Sequence, residues 1–126
     1  MDTFFAMKKA GVSSRGNSCM QLFVTDKGFV FVVGMTSKIE VPTALKLFVK
    51  AIGAPDAIIC DHSGEQTSSA QVCTFCNQID SLLKVLEEGT PWANRAELYI
   101  GLIKSTISKD MKSSGCPLAF WDYCAE

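Results

Sequence analysis

Asp56-Ala57-Ile58-Ile59-Cys60-Asp61-His62-Ser63-Gly64-Glu65 is the stretch on which the reading of the fold turns. Pro55 resets the chain, and residues 56–60 then read as a short buried strand of mostly apolar residues. Asp61 to Glu65 form a polar loop at its carboxyl end. A carboxylate that closes an apolar strand is badly placed for packing and well placed for a site.

On the amino-terminal side, Val41, Ala44, Leu45, Phe48, Ala51 and Ile52 follow helical spacing, with polar residues 37–40 opening the helix and Gly53 stopping it. Further out, residues 19–24 and 29–35 read as strands joined by a turn at 25–28, a β-hairpin. Residues 11–18, rich in Gly, Ser and Asn, read as a mobile loop. On the carboxyl-terminal side a helix is predicted over 67–79, a second short strand over 82–86 and a long helix from Trp92 to about Lys112. In that helix Ala96, Ile100, Ile103 and Ile107 form one apolar stripe. Gly115 and Pro117 end it, and an aromatic tail, Phe120 to Tyr123, follows. A hairpin followed by alternating helices and strands predicts an α/β domain, a mixed sheet flanked by helices. Any site on such a sheet is expected at the carboxyl ends of its strands.

The whole chain, 126 residues, is of single-domain size, and 48% apolar against 20% charged residues fits a packed core. Twelve basic and thirteen acidic residues leave a net charge of −1, so any nucleic-acid contact must come from a local patch. Apolar runs such as 29–33 fall far short of the ~20 residues that span a bilayer. No basic segment precedes an apolar stretch at the start of the chain, so no secretory signal is read and an intracellular protein without a membrane span is expected. In that setting the six cysteines are expected as thiols rather than a disulfide framework.

Three acids stand out. Asp61 ends its strand. Glu97 lies early in the long helix, on a polar stripe with Gly101, Lys104 and Ser108 that runs beside the isoleucine stripe and would border the groove above the strand ends. Asp2 lies in the short apolar segment 2–6. Thirty-five residues separate Asp61 from Glu97, and 58 separate Asp2 from Asp61.

Those spacings carry a resemblance. Ile59-Cys60-Asp61-His62-Ser63-Gly64-Glu65-Gln66-Thr67-Ser68 resembles the D-x-G-G-E-Y-T-S segment around the second catalytic Asp of copia-type retrotransposon integrases. Thr90-Pro91-Trp92-Ala93-Asn94-Arg95-Ala96-Glu97 is similar to their T-P-x-x-N-G-x-A-E segment, with Arg95 where the motif has Gly. Leu118 to Trp121 resembles the L-W segment downstream of the core. Together they form the D, D-35-E pattern of retroviral and retrotransposon integrases. The resemblance implies a ribonuclease-H-like fold with its first strand truncated, the chain being one catalytic core domain and a fragment of a polyprotein. It implies that Asp2, Asp61 and Glu97 hold two Mg²⁺ (or Mn²⁺) ions, which suits hard cations and in-line displacement at phosphorus. The implied activity is trimming a DNA 3′ end and joining it to target DNA. Lys104 would lie near the DNA end, and Asn94 would shape the loop presenting Glu97. Homo-oligomers, and residence in the nucleus or a cytoplasmic particle, are implied by the family alone.

Three other readings compete. The chain could be an inactive relic that binds nucleic acid or dimerises. Cys60, His62, Cys73 and Cys76 have ligand types suited to Zn²⁺, although two cysteines on a helix are more often small core residues. Asp26 is a rival first acid, but its place in the hairpin predicts a turn role.

Overall fold

The computed structural model describes residues 1–5, 11–61, 70–86 and 91–125. Within them the order is β1 (Asp2–Phe5), β2 (Cys19–Val24), β3 (Val30–Met35), a 3-10 turn (Lys38–Glu40), α1 (Val41–Ile52), β4 (Ala57–Asp61), α2 (Ala70–Gln78), β5 (Leu82–Leu86), α3 (Pro91–Ser114), a 3-10 turn (Leu118–Phe120) and α4 (Trp121–Ala125). The architecture is mixed α/β, as the sequence predicts. The predicted helix over 67–79 is seen from Ala70 to Gln78, and residues 67–69 lie outside the described residues.

β1, β2 and β3 form an antiparallel ladder in that spatial order, and β4 pairs with β5 in parallel. The hairpin between β2 and β3 closes through Thr25, whose backbone oxygen accepts the Gly28 N–H at 3.0 Å and whose hydroxyl accepts the Phe29 N–H at 3.0 Å. Gly28 takes φ +82°, which an L side chain resists. Asp26 lies in this turn, exposed, as predicted. The Met1 nitrogen donates to the Ile59 oxygen at 2.6 Å, which sets β1 beside β4 and brings the two ladders edge to edge.

Strand alternation sorts the sheet into two faces. Cys19 and Phe23 of β2, with Met35 of β3, pack beneath α1 and α2 together with Val41, Leu45, Phe48, Ile58, Val72 and Cys76. Phe23 stacks on Phe48 with ring centroids 4.6 Å apart, and Phe31 meets Phe48 edge-on at 5.9 Å. On the opposite face Phe4, Met20 and Leu22 pack against Ile107 and Met111 of α3 and Trp121 of α4. Pro42 in the first turn of α1 costs no hydrogen bond, because the first amide donors of a helix have no partner in the helix anyway. Among the described residues, no helix is long and apolar enough to cross a membrane.

A single substitution tests this division. Phe48→Ala removes the ring shared by Phe23 and Phe31, and large-to-small changes of this kind cost ~3–5 kcal/mol. The urea midpoint should fall accordingly, with the folded protein retaining its far-ultraviolet circular dichroism.

Candidate active-site face and its supports

Three of the sequence-predicted residues lie on three different elements. Asp2 opens β1 and is paired with Leu22 of β2 in the ladder register. Asp61 is the last residue of β4, opposite Leu86 of β5. Glu97 lies in the second turn of α3. The Met1–Ile59 hydrogen bond sets the start of β1 two residues from Asp61.

Strand period assigns these positions to a face. Phe4 packs toward α3, so position 2 belongs to the α3 face of β1. Ile58 packs toward α1 and α2, so position 61, three residues on, belongs to the opposite face of β4. Along α3, position 97 falls one turn before Ile100, which packs against the same cluster, and two turns before Lys104. The side chains of Asp2, Asp61, Asn94 and Glu97 lie outside the described residues, as do His62 and Glu65 altogether.

Lys104 is described. Its ammonium lies 6.0 Å from the centroid of the Phe4 ring, at the outer limit of a cation–π contact. The half-buried Lys104 therefore stands over Phe4 of β1, a ring two positions along the strand from Asp2. Phe4, 3% exposed, is a platform that the sequence reading missed.

The cysteines divide by burial. Cys76 sits in the core beside Val72, and burial pushes its thiol up, with the neighbouring Cys73 adding to the effect. Cys60 is buried, and its thiol contacts the Lys84 oxygen at 3.8 Å. A thiol raised in the manner of Cys76 is a poor thiolate ligand. Among the described residues no group of three His, Cys, Asp or Glu side chains could hold a metal ion.

Residues 11–18 are not the mobile loop that their composition predicts. They are clasped to α4 by Asp122, a fully buried carboxylate. Its Oδ2 accepts from the Ser13 hydroxyl at 2.8 Å, Arg15 Nε at 2.8 Å and Asn17 Nδ2 at 2.9 Å. The Trp121 indole donates to the Gly11 oxygen at 3.1 Å, the Ser14 N–H to the Ala119 oxygen at 2.7 Å, and the Arg15 guanidinium lies 4.0 Å over the Tyr123 ring. The residues are polar and spaced two apart, Ser13, Arg15 and Asn17, and that alternation was the available signal.

No family model matches the sequence, and no curated protein does so. Solved structures do match. The chain is similar to the HTLV-2 integrase catalytic core domain in complex with magnesium, a trimeric form, with a TM-score of 0.73 and 20% identity over 98% of this chain and 78% of that one. It is similar to the catalytic core domain of BIV integrase, with a TM-score of 0.74 and 12% identity over 99% and 77%. A chain of the simian T-cell lymphotropic virus intasome, in complex with PP2A regulatory subunit B56 gamma, gives 0.73 and 16% identity over 98% of this chain, which spans 45% of that longer one. The chain thus has the ribonuclease-H-like fold of integrase catalytic cores.

The Asp122 clasp predicts a pH dependence. Burial alone would raise this carboxyl, but hydrogen bonds from Ser13, Asn17 and Arg15, with the Arg15 charge, hold it below the usual range. A depressed folded-state pKa gives stability that is present above the unfolded value, near about 4, and lost as the pH falls through the folded one. Urea midpoints measured from neutral pH down to about pH 2.5 should therefore drop more steeply for the native chain than for Asp122→Asn, which should be less stable at neutral pH.

Proposed function

We propose that this chain is the catalytic core of a copia-like retrotransposon integrase, performing divalent-metal-dependent polynucleotidyl transfer: trimming a DNA 3′ end and joining it to target DNA. What supports the proposal is the D, D-35-E spacing, together with the Met1–Ile59 hydrogen bond, which sets the start of β1 near the end of β4. The integrase-core fold supports it, and so does the magnesium held in complex by the HTLV-2 core.

The donor set fits the metal. Asp2, Asp61 and Glu97 would supply only carboxylate oxygens, the ligands that Mg²⁺ and Mn²⁺ prefer. Bound there, two such ions would supply charge stabilisation to an in-line displacement at phosphorus. The chain's own residues do the rest. Leu22, Phe4 and the Ile100–Ile107 stripe pack together and hold α3 against β1 and β2. Lys104, steadied over Phe4, offers a cation to a DNA phosphate. Asn94, in the first turn of α3, shapes the approach to Glu97. DNA ends and target DNA are the partners, and assembly into homo-oligomers belongs to the same proposal.

Calorimetric titration with Mn²⁺ and oligonucleotide 3′-end trimming test it together. Asp61→Asn and Glu97→Gln should each weaken ion binding by at least about 10-fold, the loss that even an outer partner of a ligand brings, and should abolish trimming. Asp26→Asn, in the hairpin turn, should change neither. Unaltered Mn²⁺ binding in both Asp61→Asn and Glu97→Gln would remove the site. Lys104→Ala should weaken DNA-end binding while leaving Mn²⁺ affinity unchanged.

A further inference from the structure

Gly28 and Tyr99 meet where the β2–β3 hairpin turns. A Cβ built on Gly28 would stand 3.3 Å from the Tyr99 hydroxyl, its one neighbour within 4 Å among the described residues. A methyl group fits there only if the phenol gives way by a few tenths of an ångström. The turn itself has little freedom to yield. The Thr25 N–H donates to the Phe29 oxygen at 2.9 Å, and the Thr25 oxygen and hydroxyl accept the Gly28 and Phe29 N–H groups at 3.0 Å. Val24 and Val30, the last pair of the ladder, belong with Tyr99 to the cluster beneath α3.

Tyr99 comes early in α3. Leu98 beside it is 61% exposed, and among the described residues Tyr99 is the first side chain of α3 that packs on the sheet. The phenol is therefore a strut, with its ring over the valines and its hydroxyl end facing Gly28. Position 97 lies two residues earlier, about 3 Å along the helix axis. Whatever sets the height of Tyr99 over the sheet sets the height of that turn as well.

We propose that Tyr99, set against Gly28, is a positioning residue that fixes the spacing between the Glu97 turn of α3 and the sheet. The inference rests on the catalytic reading above, because Glu97 is the ligand being placed. Tyr99 acts through the helix backbone. A methyl group added at Gly28 lifts the phenol and the helix end with it. Misplacing a catalytic group by about 1 Å costs about 100-fold, so a shift of about a third of that should cost about fivefold.

Mn²⁺ titration calorimetry and the kcat of oligonucleotide 3′-end trimming, both on the full chain, provide the test. Gly28→Ala should weaken Mn²⁺ binding and lower kcat, each about fivefold, with the KM for oligonucleotide unchanged. Combining it with Tyr99→Phe, which removes the hydroxyl that the new methyl meets, should recover most of both losses. Tyr99→Leu shortens the strut without touching the turn, should lower both by a similar factor, and decides the matter if Gly28→Ala does not fold. Gly16→Ala is the control, since Gly16 has φ +84° and nothing within 4 Å of an added Cβ, so it brings backbone strain without a contact. It should lower the urea midpoint, as Gly28→Ala does, and leave Mn²⁺ affinity and kcat at native values. The proposal alone is overturned if Glu97→Gln weakens Mn²⁺ binding while folded Gly28→Ala or Tyr99→Leu does not. It is also overturned if the double variant recovers nothing, or if Gly16→Ala costs as much affinity and kcat as Gly28→Ala. Unaltered Mn²⁺ binding in Glu97→Gln overturns it differently, by removing the catalytic reading on which it rests.

Discussion

Cys19, Met20, Gln21, Leu22 and Phe23 are five consecutive buried residues of β2, so this strand must be covered on both faces at once. Apolar side chains alternating to opposite sides leave no solvated face, and each face then needs its own helical layer. α1 and α2 supply one layer and α3 with α4 the other, from segments that lie entirely after β2 in the sequence. Gln21 is the exception within the run. Its amide oxygen accepts the Thr3 hydroxyl, while its buried Nε2 has no hydrogen-bond partner among the described residues.

Covering β2 twice also determines where chemistry can sit. The helices occupy the faces, so polar residues gather where strands end. β1 and β4 end up side by side at the Met1–Ile59 contact, and α3 passes over β1 through Phe4. The start of β1 is thereby tied to β4 by a hydrogen bond and to α3 by packing. Such elements place a site more reliably than loops do.

This explains which parts of the molecule were legible in the sequence. β2 and β5 match their predicted bounds, and α3 differs by one or two residues at each end, because alternation and the isoleucine stripe are local signals. Asp61 was legible for the same reason, as an acid where an apolar strand stops. The Asp122 clasp was not, since it joins residues 109, 107 and 105 positions apart and the Gly, Ser and Asn that make it are the usual composition of a mobile loop. Phe4 was also illegible as a support for Lys104, because about a hundred residues separate them and only tertiary packing brings the ring beneath the ammonium.

The clasp reaches further than the loop it holds. Asn17 donates to Asp122 and at the same time lies against Gly34 of β3, where a Cβ would stand 2.5 Å from Asn17 Nδ2 and 2.8 Å from Cγ. Only glycine leaves room for the Asn17 amide there, and that amide is tied to a buried carboxylate and so lacks the freedom of a surface side chain. α4 is therefore connected through Asp122 and Asn17 to the outer strand of the sheet, across the strand edge rather than through either core. Arg15, held by the same carboxylate and by Tyr123, lines an open groove beside β3. One buried carboxylate on α4 thus holds the loop of residues 13–17 against the edge of the sheet. The shape of the β3 edge thus depends on residues 121–124 as much as on β3 itself.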